Sequence, residues 1–295
     1  LQSVIREATD GNSLVTTINY NIQRTVEKYL QEWQTQDVGS KVASAIVMDP
    51  KTGEILAMAS TKQYDLNEPR KMDDAEYPES LLLELGKKEA QIVYKREHEN
   101  KSISTDEVGQ YFTQEELLSY GRQAAWNEVW RNPVISDTYE PGSTVKPFTI
   151  AGALEESVIK PKTTFTCDGK VTLSDGVHTW NIRCHKRDGH GTLDAEQALM
   201  KSCNVYMMNT AFAEGAETFV KYQHVFGFGD KTTVDLPGEA DTSSLVYTAD
   251  TLGKTTLATN SFGQNFNVTM IQMASAFCSV INGGSYYRPH VVKQI

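Results

Sequence analysis

The sequence predicts a mixed α+β fold for this chain of 295 residues. Two apolar stretches, Val42–Met48 and Glu54–Ala59, are typical of mostly buried strands joined by a tight loop. Apolar residues at helical spacing occur before them, in Asn21–Trp33, and again in the run that follows Ser143. With 39% apolar residues, a chain of this length can bury a substantial core in one or two domains.

The first elements follow from short-range patterns. Leu14–Ile18 is typical of a short strand, and Asn21–Trp33 predicts a helix for which Asn19 is a suitable N-cap. Asp49–Gly53 then forms the loop between the two apolar strands. We therefore expect a sheet to begin in this part of the chain.

The segment 61–130 is more polar than its surroundings. It holds nine Lys or Arg and fifteen Asp or Glu residues, a net charge of −6. Thr113–Glu116 is a capping-box pattern that leads into helically spaced apolar residues. We expect a charged helical insertion here, and we assign it no chemistry because charged helix faces are most often solvated.

The overall charge limits the classes of partner. A net charge of −10 argues against nucleic acid or an anionic membrane surface as a partner. No apolar run is long enough to cross a bilayer. The sequence begins at Leu1 rather than at Met, so we expect it to be part of a longer chain.

The most informative stretch is Tyr139–Glu156. Pro141-Gly142 predicts a turn that places Ser143 at the start of an apolar helix, with Lys146 one helical turn later. A serine hydroxyl is a weak nucleophile, and a lysine of lowered pKa can accept its proton. The helix N-terminus adds N–H groups that favour a developing oxyanion.

Spacing alone leaves two interpretations of Ser143 open. The same Ser-x-x-Lys pattern occurs at Ser157–Lys160, where it follows the helical run and precedes Pro161, so we interpret that copy as structural. From spacing alone, Ser143 and Lys146 are more simply interpreted as an N-cap and a solvated lysine. A second element is needed to decide between them.

The segment 163–190 is rich in metal-binding residue types, namely Cys167, His178, Cys184, His185 and His190. Their spacing does not match a zinc finger, so we expect no metal and no cofactor. Cys167 and Cys184 lie near the ends of a predicted hairpin over 165–182. They form either a disulfide or two buried thiols. Cys278, in an apolar helical run, is interpreted as a core residue.

Two further helices are predicted close together. Thr192–Met200 predicts a helix capped by Thr192 or Asp194, and a second helix runs from Val205 to Ala213. Ser202 and Asn204 occupy the break between them, where polar side chains can face a cleft. Ser-x-Asn is also common as a simple capping pattern.

Taken together, these stretches resemble the transpeptidase domain of class B penicillin-binding proteins, the sporulation and division types most closely. The resemblance covers nearly the whole chain. It rests on Trp130-Arg-Asn132, Tyr139–Lys146, Gly191–Asn204, Thr17–Gln23, Val47–Ser60, and Ser261-Phe-Gly-Gln264 running through Asn282-Gly-Gly284.

The resemblance implies a role for each site residue. Ser143 would be acylated by a peptidoglycan stem peptide or a β-lactam, and Lys146 would accept its proton. Ser202 would relay a proton toward Lys146 and the leaving amine, and the Asn204 amide would hold the substrate backbone. The Ser143 N–H would be one oxyanion donor.

The same resemblance implies a fold and a setting. The fold would be an antiparallel sheet covered by helices on both faces, with all-helical regions at 61–130 and around Ser202. The function would be D,D-transpeptidation of peptidoglycan, outside the cytoplasm, by a full-length protein anchored in the bacterial membrane. Its partners would be stem peptides, β-lactams, a glycosyltransferase and membrane proteins of the division or elongation machinery. A β-lactam hydrolase or sensor of the same fold and a non-catalytic cell-wall scaffold remain alternatives.

One motif of the family is missing. A Lys-Ser/Thr-Gly strand is expected well downstream of Ser202, but the sequence ends at Ile295. The copy at Lys51-Thr52-Gly53 belongs to the loop between the first two strands and is not assigned to the active site. We therefore expect the N-terminal pedestal, the membrane anchor and the last strands to lie outside this sequence, leaving a bare sheet edge and a poor catalyst.

Overall fold

The computed structural model of the chain describes residues 11–36, 42–74, 76–174 and 176–295. Eleven α-helices are found among these residues, and most are short. They are α1 Tyr20–Gln34, α2 Glu79–Glu97, α3 Val108–Tyr111, α4 Gln114–Trp130, α5 Pro133–Ser136, α6 Lys146–Glu155, α7 Ala195–Met200, α8 Asn204–Glu214, α9 Ala216–Val225, α10 Lys254–Asn260 and α11 Met270–Ile281.

The ten strands that these residues form are two to six residues long. They are β1 Val15–Thr16, β2 Ser44–Met48, β3 Ile55–Ser60, β4 Thr138–Tyr139, β5 Phe165–Cys167, β6 Lys170–Ser174, β7 Thr179–Arg183, β8 Gly191–Leu193, β9 Val268–Thr269 and β10 Val292–Gln294. The predicted α+β class is confirmed by this mixture of helices and strands.

The strands pair two by two. The pairs are β1 with β10, β2 with β3, β4 with β9, β5 with β8, and β6 with β7. Within the described ranges no sheet has more than two strands, so a closed five-stranded sheet is not formed. The pair β5–β8 is antiparallel and sets Cys167 opposite Gly191, and it encloses the β6–β7 hairpin in the sequence.

Side-chain caps explain where several helices begin. The predicted capping box of Thr113 and Glu116 starts α4, and Asp194 starts α7 with a reciprocal bond to Gln197. Asn19 accepts hydrogen bonds from the first N–H groups of α1, as its predicted N-cap role requires. These local signals are independent of tertiary packing, which is why the sequence reveals them.

The chain divides into two units. The first unit consists of the described residues within Leu1–Tyr29, Ser44–Ala59 and Val134–Ile295. The second unit consists of the described residues within Leu30–Ala43 and Ser60–Pro133. No helix among the described residues combines the length and the apolar character needed to span a bilayer.

Two of the buried apolar clusters in the first unit pack against α6. On one side, Ile150 and Ala153 pack with buried residues of α8 such as Met207. On the other side, the Phe148 ring lies 4.9 to 5.2 Å from the rings of Phe226, Phe228 and Phe277. Because apolar side chains cover α6 on both sides, its first residues are held in a fixed position.

The second unit is built on the pair α2 and α4. The two helices meet at Gly86 and Gly121, where the backbones come so close that a side chain has no room. A Cβ atom on Gly86 would lie 1.8 Å from the Leu117 carbonyl oxygen, and one on Gly121 would lie 1.9 Å from that of Leu82. The glycines therefore set the distance between the helices.

We predict that Gly86→Ala lowers the free energy of unfolding by about 1–3 kcal/mol, since the new methyl group forces two packed helices apart. The matched control is Gly109→Ala in α3, where nothing lies within 4 Å of the added Cβ. That control should change stability by less than about 1 kcal/mol. Urea denaturation of both variants checks the prediction, and equal effects would contradict the close-contact explanation.

Candidate active site

Ser143 lies in a short 3₁₀ turn, Gly142–Val145, that leads directly into α6. Gly142 has a φ of +57°, a backbone conformation that glycine adopts without steric cost. The Lys146 N–H donates to the Ser143 carbonyl, so the turn and the helix are continuous. The predicted position of Ser143 at a helix start is thus observed, and its side chain is exposed.

A second backbone segment supports this turn. The Gly142 N–H donates to the Gly263 carbonyl at 2.8 Å, and the Thr149 hydroxyl donates to the Ser261 carbonyl at 2.9 Å. A Cβ atom on Gly263 would lie 2.0 Å from the Gly142 carbonyl oxygen. The Ser261-Phe-Gly-Gln264 stretch therefore forms a tight backbone wall behind the turn, a role that its sequence alone did not reveal.

The Lys146 side chain is buried and fully hydrogen-bonded. It is only 2% exposed. Its Nζ donates to the Ser202 carbonyl oxygen at 2.7 Å, to Ser202 Oγ at 2.8 Å and to Asn204 Oδ1 at 2.7 Å. An ammonium group has three donors, and these three acceptors use all of them.

These contacts differ from the pairing expected from the sequence. Spacing along the helix suggested that the Lys146 amine reaches the Ser143 hydroxyl. Among the described residues, its hydrogen bonds run instead to Ser202 and Asn204. The physical reason is that a buried charge needs strong acceptors, and the break between α7 and α8 supplies three of them.

Burial also shifts the ionisation of Lys146. Desolvation lowers its pKa from 10.5 to about 8, and the nearby Cys184 and Cys203 thiols oppose this shift in part. A substantial fraction of the amine is therefore neutral in mildly alkaline solution. A neutral amine carries a lone pair and can accept a proton.

Ser202 and Asn204 lie in the predicted break between two helices. Helix α7 ends at Met200, and α8 begins at Asn204. Ser202 adopts a left-handed conformation with a φ of +49°, uncommon for a residue other than glycine. This conformation lets Ser202 offer both its carbonyl and its hydroxyl oxygen to one amine.

An open cavity of about 290 Å³ adjoins Ser143. Its wall includes Ser143, Asn204, Arg183, Cys184 and Gln264. The Asn204 Nδ2 group donates to the Arg183 carbonyl over 3.4 Å, a long bond that a ligand carbonyl could replace. A nucleophile candidate and an amide group thus face the same space.

The Lys51-Thr52-Gly53 copy lies in the turn between β2 and β3. There Thr52 Oγ1 accepts from the Glu54 N–H at 3.1 Å, and the Gly53 N–H donates to the Asp49 carbonyl. These contacts shape the turn, in agreement with the assignment to a strand-joining loop.

The cysteines form a group that the sequence did not predict. All four, including Cys278, are free and buried, so the disulfide alternative for Cys167 and Cys184 is wrong and the buried-thiol alternative is confirmed. Cys167, Cys184, His190 and Cys203 place one ligand atom each within 4.8 Å of one another, and we call them the cysteine–histidine cluster. Thiols and an imidazole at such distances can hold a metal ion.

Comparisons with known proteins agree on one family. The profile described as "Penicillin binding protein transpeptidase domain" matches residues 43–295. Stage V sporulation protein D of Bacillus subtilis is 28% identical over 97% of this chain and 35% of its own length. Peptidoglycan D,D-transpeptidase MrdA of Acinetobacter baumannii is 25% identical over 98% of the chain and 36% of that protein.

Solved structures support the fold. Pseudomonas aeruginosa PBP2 in complex with WCK 5153 matches with a TM-score of 0.64 and 23% identity, over 95% of this chain and 54% of that one. The TP domain of Burkholderia pseudomallei penicillin-binding protein 3 matches with a TM-score of 0.63 and 21% identity, over 95% of this chain and 62% of that one. The chain spans about a third of the length of the curated relatives named above. The resemblance inferred from the sequence is confirmed, and the chain belongs to the penicillin-binding protein transpeptidase domain family.

Proposed function

We propose that this chain is the acyl-transfer domain of a D,D-transpeptidase that cross-links peptidoglycan stem peptides and is inhibited by β-lactams. The observation that carries the proposal concerns the buried Lys146 amine, which donates hydrogen bonds to both Ser202 and Asn204. Lys146 itself lies one helical turn after Ser143. Acyl transfer needs a nucleophile, a base, an acid for the leaving group and an electrostatic cradle. These four residues and the start of α6 offer all of these groups.

Ser143 is the nucleophile, and Lys146 is the base. After losing one proton, the Lys146 amine has a lone pair that accepts the Ser143 hydroxyl proton. Ser143 Oγ then attacks the carbonyl carbon of the terminal D-Ala-D-Ala bond or of a β-lactam ring. The Ser143 N–H, at the positive end of α6, stabilises the negative charge on the carbonyl oxygen.

Ser202 returns a proton to the leaving group. Its Oγ accepts a hydrogen bond from Lys146 at 2.8 Å, so its own hydroxyl proton is available to the departing amine. Lys146 then supplies a proton to Ser202. The amine of a second stem peptide attacks the acyl-enzyme by the reverse route, which forms the cross-link and frees Ser143.

Asn204 orients the substrate. Its Oδ1 accepts a hydrogen bond from Lys146 Nζ at 2.7 Å. This bond directs Nδ2 toward the cavity and toward the Arg183 carbonyl at the end of β7. A substrate carbonyl that accepts from Nδ2 would be fixed relative to Ser143. Positioning of this kind converts a bimolecular step into an effectively unimolecular one.

The cellular setting is part of the proposal. Relatives carry the names peptidoglycan D,D-transpeptidase and stage V sporulation protein, which supports a role in cell-wall synthesis. Because peptidoglycan lies outside the cytoplasm, the domain would act there, in a full-length protein anchored in the membrane. A glycosyltransferase and membrane proteins of the division or elongation machinery would be its partners.

The first test uses a fluorescent penicillin and the full-length protein. We expect a long-lived covalent label, and we expect Ser143→Ala to abolish it because the attacking oxygen is gone. Ser157→Ala, from the other Ser-x-x-Lys copy, is the matched control and should label normally. Rapid turnover of the label would indicate a β-lactam hydrolase, and no label would indicate a scaffold. A Ser143→Ala protein that still labels would refute the site.

The second test is the pH dependence of acylation. Since the folded-state pKa of Lys146 is lowered to about 8, the neutral base is scarce below that pH and predominates above it. The second-order rate constant for penicillin acylation should rise about tenfold per pH unit below pH 8 and level off above it. Stopped-flow measurements with the full-length protein check this. A rate that falls with rising pH would contradict Lys146 as the base.

A third test follows the pKa itself. Ser202→Ala removes one acceptor from the charged amine, so the pKa of Lys146 should fall further. The ¹³Cε chemical shift of Lys146 reports this titration without turnover. Ser157→Ala is a close control, because both serines have left-handed backbones, with φ of +49° for Ser202 and +57° for Ser157. An unchanged Lys146 pKa in Ser202→Ala would show that the hydrogen bond to Ser202 Oγ does not stabilise the charged amine.

A further inference from the structure

The second unit contains an open cavity of its own, within the charged helical insertion to which no chemistry was assigned from the sequence. Its volume is about 400 Å³, which is within the range typical of ligand-binding cavities. Its wall is formed by described residues of the stretch 63–77 and by Val129 near the end of α4. None of these residues takes part in the acyl-transfer steps proposed above.

Two tryptophans fix one side of this cavity to α4. Trp126 Nε1 donates to the Arg70 carbonyl at 2.9 Å, and Trp130 Nε1 donates to the Pro69 carbonyl at 2.8 Å. The two indole rings are stacked, with an angle of 11° between their planes. The Arg70 guanidinium lies 5.6 Å from the centroid of the Trp126 ring, a cation–π contact. The loop is therefore held in shape without a ligand, which lowers the entropic cost of binding one.

The side chains around the cavity are predominantly acidic, and we call it the acidic cavity. Four carboxylates line it, those of Asp65, Glu68, Asp73 and Glu76. Lys71 is the basic residue among the described lining residues, and its amine is paired with Glu68 at 3.2 Å. Negative charges gathered around one space repel one another, and a cation placed among them relieves that repulsion.

A buried tyrosine adds a second, independent indication of a ligand. Tyr77 lines the cavity but is only 7% exposed, and its ring packs with Leu82 and Ala125. Among the described residues none forms a hydrogen bond with its hydroxyl. Burial, and then the negative charges of Glu128 and Glu76, raise the pKa of Tyr77, so the hydroxyl lies close to these carboxylates. A ligand that donates a hydrogen bond to this oxygen would satisfy a polar group that the fold leaves unpaired.

Apolar side chains accompany the carboxylates. Leu66 is 80% exposed and Tyr64 is 38% exposed, and both belong to the stretch that forms the wall. Met72 packs in the same cluster as Tyr77 and also lines the cavity. A small polyamine has no side chains with which to cover Leu66. A polypeptide that carries basic and apolar residues together matches both the charge and the exposed apolar surface.

We propose that the acidic cavity is a docking site for a basic segment of a partner protein, and that a lysine or arginine side chain of this segment enters the cavity. Its charged group would donate hydrogen bonds to the carboxylates of Asp65 and Glu76 and to the Tyr77 hydroxyl oxygen. Its aliphatic stem would lie against Tyr64 and Met72. The inference concerns a surface of the second unit and does not depend on the proposed catalytic function.

The test measures binding of a defined probe to the full-length protein. The probe is a short fluorescein-labelled peptide in which lysine alternates with leucine, and fluorescence anisotropy follows its binding. We expect saturable binding that weakens about tenfold between about 0.05 M and about 0.5 M salt, since salt screens exposed charges. The same peptide with glutamate in place of lysine should not bind, and equal binding of the two peptides would overturn the inference.

Substitutions separate the acidic cavity from the net charge of the protein. Glu76→Gln should weaken binding of the lysine peptide about twofold to fivefold, because an exposed ion pair is lost. Glu115→Gln is the matched control, since Glu115 is an exposed residue of α4 outside the cavity and its loss changes the net charge by the same amount. Tyr77→Phe keeps the packed ring and removes only the hydroxyl, so it should also weaken binding, and circular dichroism checks that it folds. Equal effects of Glu76→Gln and Glu115→Gln would overturn the inference.

A competitor distinguishes a protein partner from a small cation. Leu66→Ser should weaken binding of the lysine peptide and leave binding of spermidine unchanged, because only the peptide has apolar side chains. Spermidine that binds as tightly as the peptide, together with no effect of Leu66→Ser, would overturn a polypeptide as the occupant. Ser143→Ala should bind the peptide like the unaltered protein, so failure of the proposed catalytic function and failure of the docking site are distinguishable.

Discussion

Burial of one ammonium group is the constraint on which the site depends. Removing the charge of Lys146 from water is costly, and the cost is offset only if its donors all find acceptors. Ser202 and Asn204 provide these acceptors, and Ser202 takes up a left-handed backbone to do so. The position of α6 and the conformation of the break between α7 and α8 are therefore coupled through a single side chain.

The helices that this coupling connects, α6 and α8, are both held rigidly by packing. Helix α6 is packed between the apolar groups around Ile150 and Phe148, and α8 packs against it. The same burial that fixes the amine in place also lowers its pKa to about 8. Burial thus both fixes the position of the Lys146 amine and lowers its pKa. A more loosely packed core would weaken both effects.

Local features of the fold were accessible from the sequence, and long-range ones were not. The cap at Thr113 and the break at Ser202 follow from patterns within a few residues, so they were predicted, and Asp194 is the one of two predicted caps that begins α7. The acceptors of Lys146 lie 56 and 58 positions away, and spacing pointed instead to Ser143. Pairing of β1 with β10 likewise joins Val15 to Gln294, a contact that no short pattern encodes. The cysteine–histidine cluster was missed for the same reason.

The contact between Gly142 and Gly263 has a consequence for how such domains diverge. One wall beside the proposed nucleophile, Ser143, is made of main chain, and a side chain at position 263 would collide with the Gly142 carbonyl. Amino-acid replacement can therefore do little to reshape that corner of the cleft. Adaptation to a new ligand has to come from other residues that line the cavity, such as Arg183, whose side chains evolution can exchange.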